Sequence, residues 1–163
     1  IVPHRNATTD DVSGLDPYYK GAYVLHMLRY LIGDEIFFEI LNEFLHMKKE
    51  LPNNQVTTND FINLVHKKTE KNLDWFFRTY LYEKEYPNLI QKTNHGSNHT
   101  FIELYWENEN FFMPVEVFYN SNTGMRQRKL ALTNKPTMIA VPQHNKIKID
   151  PEKRILLRLN KKE

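Results

Sequence analysis

Asp16-Pro17-Tyr18-Tyr19-Lys20-Gly21-Ala22-Tyr23-Val24-Leu25 decides how the first half of the chain folds. Asp before Pro is a helix start: Asp serves as N-cap, and Pro fills the first helical position, where its missing N–H costs nothing. From there Tyr18, Gly21, Leu25, Leu28 and Ile32 recur at three- and four-residue steps, flanked by Val24 and Leu31. That spacing predicts one inward stripe on a helix. Gly33 stands where a C-cap belongs. Asp34 is placed to cap a second helix with the stripe Phe37, Ile40, Leu41, Phe44 and Leu45, which Pro52-Asn53-Asn54 breaks.

Working outward, the pattern stays helical as far as residue 87. Thr57 and Asp60 have the spacing of a capping box, with Asp in place of the usual Glu, ahead of a helix that turns Phe61, Leu64 and Val65 inward. A fourth helix starts at Asn72 or Leu73 and carries Asp74-Trp75-Phe76-Phe77-Arg78-Thr79-Tyr80-Leu81-Tyr82 until Tyr86-Pro87 ends it. The short connections predict antiparallel neighbours in a bundle. Residues 1–14 read as a polar, irregular leading loop.

Past Pro87 the period drops from about 3.6 to 2. Apolar and polar residues alternate in 101–106, 114–119, 128–132, 147–149 and 155–159, separated by the turn signals Asn94-His95-Gly96-Ser97, Asn120-Ser121-Asn122-Thr123-Gly124 and Asp150-Pro151. Short strands with such turns predict an antiparallel sandwich of about seven strands. The fold class is therefore α+β, with a helical bundle over 1–87 and a small β-sandwich over 88–163.

Composition narrows the function classes. Aromatics at 13% and a charged fraction of 26% describe a chain able to build a core. The net charge of +2 is spread along the length, so despite a pI near 8.7 there is no electrostatic footprint for nucleic acid. The absence of cysteine excludes disulfides, thiolate metal sites and cysteine nucleophiles. No apolar run approaches the roughly 20 residues of a membrane helix. The opening Ile1-Val2-Pro3, without methionine or signal pattern, reads as a piece of a longer protein.

The helix beginning at Asp16 holds the main chemical candidate. A glycine inside a helix costs roughly 1 kcal/mol against alanine, so Gly21 is expected to serve a close backbone approach. Tyr18 lies one turn earlier. Two readings are open: a rim tyrosine that packs and finds a hydrogen bond, which is the commoner case, or a phenol directed into a cleft.

The run Tyr18-Tyr19-Lys20-Gly21-Ala22 resembles the Y-x-K-G-A segment of the M1 zinc aminopeptidases. The resemblance continues through Val24-Leu25-His26-Met27-Leu28-Arg29, Gly33-Asp34-Glu35-Ile36-Phe37, Thr57-Thr58-Asn59-Asp60-Phe61 and Leu73-Asp74-Trp75-Phe76-Phe77. It ends at Tyr86-Pro87, and so covers most of residues 15–90 in order. Pro114-Val115-Glu116-Val117 and Ile149-Asp150-Pro151 are similar, less specifically, to the small sandwich that follows in such enzymes.

The resemblance implies that the bundle is the carboxy-terminal lobe of a peptidase catalytic domain. It implies that Tyr18 is catalytic, donating a hydrogen bond to the oxyanion formed on the scissile carbonyl. A phenol suits that role as a donor that is neutral at working pH. Zinc is implied for the full enzyme, held by H-E-x-x-H and a later Glu, the motif Glu being the general base. Peptide substrate and the upstream zinc-binding lobe of the same polypeptide are the implied partners. Similar enzymes with a short β tail are often exported bacterial proteins, which implies an extracytoplasmic location.

This chain departs from that pattern in one decisive respect. None of His4, His26, His46, His66, His95, His99 or His144 is followed by Glu, so H-E-x-x-H is absent. His95 and His99 are four apart but straddle a turn, which does not pair imidazoles as a helix does. The expectation is that this piece binds no metal and is inactive alone. The other histidines read as surface or boundary residues, Glu39, Glu43 and Glu50 as a solvated face, and Trp106 with Phe111-Phe112 as core. Asn6-Ala7-Thr8 and Asn98-His99-Thr100 fit the glycosylation pattern. A rival reading makes the chain a non-catalytic interaction or scaffold module of the same family, and a third makes it part of a related M1 hydrolase with a different substrate.

Overall fold

The structure is a computed structural model that describes residues 16–47, 55–121, 123–143 and 147–162. The leading loop, Pro52-Asn53-Asn54, Glu50, His4, His144, Asn122 and the Asn6 sequon lie outside the described residues. The chain divides into two units, residues 1–82 and 83–163, and the described residues form an α+β architecture with four helices and two antiparallel-rich sheets.

In the first unit, α1 spans Asp16–Ile32, α2 Asp34–Leu45, α3 Thr58–Thr69 and α4 Asp74–Phe77, which runs on as a π-helical turn over Arg78–Tyr82. Gly33 ends α1 as expected: its N–H donates to the Arg29 carbonyl at 2.9 Å, and its φ of 89° suits only glycine. Asp34 does not cap α2. Its carboxylate instead accepts from Arg29 Nε at 2.8 Å and Nη2 at 2.6 Å, a bidentate fork that clasps the α1–α2 turn. The capping box on α3 is present, with Thr57 N donating to Asp60 Oδ2 at 2.8 Å and Asp60 N to Thr57 Oγ1 at 3.3 Å.

The core of this unit is Val24, Met27 and Leu28 of α1, Phe37 and Ile40 of α2, Ile62, Leu64 and Val65 of α3, then Leu73, Phe76, Phe77 and Tyr80. Edge-to-face contacts link Phe44 to Phe61, Phe61 to Phe77, and Phe76 to Tyr80. Three stripes differ in part from where the spacing placed them. Leu25 and Leu45 face out, whereas Met27 and Ile62 are buried. Helices α1 and α2 carry apolar residues around more than half their circumference, so period alone does not choose a face. Glu39 and Glu43 do not form a merely solvated face, because Lys68 Nζ bridges them at 2.6 and 2.7 Å and ties α2 to α3.

The described residues of the second unit form seven strands: β1 Asn88–His95, β2 His99–Trp106, β3 Val115–Ser121, β4 Gly124–Leu130, β5 Thr137–Pro142, β6 Ile147–Ile149 and β7 Arg158–Lys162. One sheet runs β5-β2-β1-β7, with β1 and β7 parallel; the other runs β4-β3-β6 and is antiparallel. Register places Leu89 opposite Trp106 and Ile102 opposite Ile139, all four buried. Trp106 meets Phe111 edge to face at 4.7 Å and donates Nε1–H to the Met113 carbonyl at 2.9 Å. Phe112 points to solvent.

Two strands escape the alternation rule. β1 offers only the adjacent pair Leu89-Ile90, and β5 runs Met138-Ile139-Ala140-Val141 without polar breaks. The last strand starts at Arg158 rather than Ile155. Asp150 is the physical reason, since its carboxylate accepts the N–H groups of Arg154 and Ile155 at 2.9 and 3.0 Å and closes a loop there.

Candidate functional site

The site is built on the first turn of α1. Val24, Met27 and Leu28 anchor that helix in the core. Their angular position leaves Tyr18, Ala22 and Leu25, at i, i+4 and i+7, on the opposite, open side. Tyr18 is 77% exposed and Tyr19 69%. Among the described residues the Tyr18 hydroxyl has no hydrogen-bond partner, so its donor is available to a group outside this chain's described part. Of the two readings the spacing left open, packing into the rim is not what the ring does here. Gly21 lies half-buried in the helix interior.

Beyond Tyr18 the open side of α1 carries Ala22 and Leu25. Leu25 is open to solvent, and Phe38 of α2 lies 52% exposed beneath the Arg29 guanidinium, 5.0 Å from its ring centre. The Arg29–Asp34 fork lowers the Asp34 carboxyl below the ordinary aspartate range and raises Arg29, chiefly through the shared hydrogen bonds. Nothing about this cluster is a proton donor or base for chemistry at Tyr18; it fixes the far end of the same helix.

No group of three His, Asp or Glu side chains that could hold a metal ion occurs among the described residues. His95 sits at a hairpin end with Nδ1 3.2 Å from Thr100 Oγ1, and His99 pairs across to Pro142. His26 is exposed, and His46 Nδ1–H donates to the Asn42 carbonyl at 2.8 Å at the end of α2. His66 is half-buried, its Nε2 3.5 Å from Asp74 Oδ1. These imidazoles serve separate local structures, and the described residues do not fit a zinc ligand set.

A groove of about 430 Å³ lies elsewhere in the helical unit, between α3 and the π-helical turn. Asn59 and Asn63 line one wall, Asp74, Arg78 and Tyr82 the other, and Ile62 with Phe77 the floor. Tyr18 is not part of it. Sequence reading missed this groove. Its walls are i, i+4 rows of polar residues on two helices, a pattern indistinguishable from an ordinary solvated face until the helices are placed.

Comparison with known proteins adds a family for the helical half. The family described as the Peptidase family M1 domain matches residues 2–80, a little under half of the 163-residue chain. The match takes in the Tyr18 turn and all four helices, and stops short of β1. It supports a peptidase, hence hydrolase-type, origin for this unit. No curated protein matches the chain. No helix among the described residues is long and apolar enough to cross a membrane.

Proposed function

We propose that this chain is the carboxy-terminal part of a zinc-dependent M1 aminopeptidase, contributing the oxyanion-stabilising tyrosine to a site completed by polypeptide upstream. In this reading the helices over 1–87 form a bundle, the distal lobe of the catalytic domain. Residues 88–163 form a small antiparallel sandwich as an accessory domain. The whole protein removes amino-terminal residues from peptides, outside the cytoplasm. The 163-residue piece alone has no peptidase activity.

The observation that carries the proposal is the open hydroxyl of Tyr18, on a helix turn inside the stretch that matches the peptidase family. A hydrogen-bond donor held on a rigid helix and aimed at developing negative charge lowers the barrier without tightening ground-state binding. Burial of α1 through Val24, Met27 and Leu28 supplies that rigidity. The open apolar stripe of Tyr18, Ala22 and Leu25 is what a surface meant to be covered by another lobe carries. In such an enzyme zinc supplies Lewis-acid activation, and its ligands must come from the upstream lobe, because the described residues do not provide them.

The parent polypeptide tests this directly. Its upstream sequence is expected to contain an H-E-x-x-H helix and a later Glu. The purified protein should release amino-terminal residues from an unblocked peptide, lose that activity to a chelator, and leave an amino-acetylated peptide intact. Degenerate ligand positions with no turnover would instead establish the scaffold reading.

A further inference from the structure

The second unit carries a feature that the peptidase reading leaves unused: the edge strand β4. It lies at the margin of the sheet β4-β3-β6 and, among the described residues, pairs with β3 alone. From Gly124 to Lys129 every residue is exposed, so both faces of the strand, as well as its free edge, are open. The ladder to β3 runs without interruption from Val115↔Leu130 to Ser121↔Gly124, with no bulge and no proline. Strand edges are ordinarily blunted by such devices. Here the only device is charge: Arg126, Arg128 and Lys129, with no acidic residue in the strand.

The strand is also held ready. At the hairpin end Ser121 Oγ–H donates to the Gly124 carbonyl at 2.8 Å, Thr123 N donates to Ser121 Oγ at 3.2 Å, and Arg126 Nη2 donates to Thr123 Oγ1 at 2.7 Å. Gly124 takes φ 111° in open space, as the tight return requires. At the other end Leu130 is buried. A preorganised strand loses little entropy when a second strand adds to it.

Charge selects the partner. Antiparallel pairing of β4 with β4 of a second copy, centred on Gln127, would set Arg126 against Arg128 on both sides, which is destabilising across strands. An acidic strand meets no such penalty. Arg126 and Arg128 are two residues apart and project on one face, so carboxylates at alternate positions of an added strand would match their spacing. Lys129 contributes less, because its cross-strand neighbour is Glu116, which also faces Arg154 Nη1 at 3.6 Å.

We propose that β4 is a docking edge for an acidic, extended segment of a partner protein, which adds to the sheet as a fourth strand with its carboxylates over Arg126 and Arg128. Main-chain hydrogen bonds supply affinity in this mode, and side chains supply selectivity. The proposal does not depend on peptidase activity.

The test uses the intact chain and a fluorescent probe peptide of seven residues, matched to β4, alternating Glu with Val, read by anisotropy at physiological salt. Binding is expected, with amide shifts in an isotope-labelled sample centred on Met125–Lys129. The same peptide with every backbone nitrogen methylated keeps its charges but loses its donors, and should not bind. The double variant R126E/R128E should weaken binding by about tenfold or more, with an unchanged circular dichroism spectrum. No binding of the Glu–Val probe, equal binding of the methylated one, or self-association of the chain through β4 would each overturn the proposal.

Discussion

The two units solve the problem of an apolar surface differently. In the β unit, alternation gives β2 and β3 an inward face, and its large residues, Trp106, Leu104, Ile102 and Val117, end with essentially no exposure. In the helical unit the exposed large apolar side chains sit on helix faces, Tyr18, Tyr19 and Leu25 on α1 and Phe38 and Leu45 on α2, whereas in the β unit Phe101, Met125, Met138 and Leu159 lie on strands. Among the described residues, the β unit leaves a strand edge unpaired at β4, whereas the helical unit leaves one side of α1 exposed. A packed partner would cover the helical surface, and an added strand the open edge.

The largest effects should come from the two cores. Phe76→Ala, at a side chain with no exposure packed on Phe77 and Tyr80, should cost about 3–5 kcal/mol. Trp106→Ala should cost a similar amount, because it removes both the Phe111 contact and the bond to Met113. Hydrogen exchange read residue by residue should place the loss from Phe76→Ala in the helices and the loss from Trp106→Ala in the strands. Equal losses in both units from either variant would break the contrast drawn between them.

Gly33→Ala should come next, at about 1–3 kcal/mol. The added methyl meets nothing within 4 Å, so the cost is the backbone's alone, arising from φ 89° and ψ 160°. Urea denaturation would measure it, and a neutral result would mean that the turn between α1 and α2 adapts.

The smallest stability effect belongs to the Arg29–Asp34 fork, which is solvent-exposed and screened by salt. Its sign is fixed. Asp34 titrates lower in the folded chain than in the unfolded one, so its contribution is present above about pH 4, the ordinary aspartate value. That contribution fades as pH falls through the lowered folded value. Asp34→Asn should therefore flatten a small part of the acid limb of stability against pH, and the difference should shrink with added salt. An unchanged acid limb at low salt would show that the fork contributes nothing.

Much of this fold was legible because local rules agreed with one another. The Thr57–Asp60 box, the Gly33 stop and the hairpin turns near Gly96 and Gly124 appear in the structure as read. What failed to show in the sequence failed for identifiable reasons. Asp34 is as good a cap as it is a partner for Arg29, and only the three-dimensional turn decides. β7 has no buried residue, so the alternation read over 155–159 marked only its beginning. Tyr18 as a candidate came from the ordered resemblance and not from periodicity, which set its ring at the end of a buried stripe. The structure puts it in the open. The alternation read over 128–132 found the end of β4, but its place at the sheet margin was hidden until the strand order was known.

Turnover of the Tyr18→Phe variant in the full parent polypeptide is the measurement closest to the central claim. Loss of one donor to the oxyanion should lower kcat by ~10²–10³, with KM, zinc content and thermal stability near those of the unaltered protein. Near-normal kcat in a well-folded, zinc-loaded Tyr18→Phe protein would contradict the account.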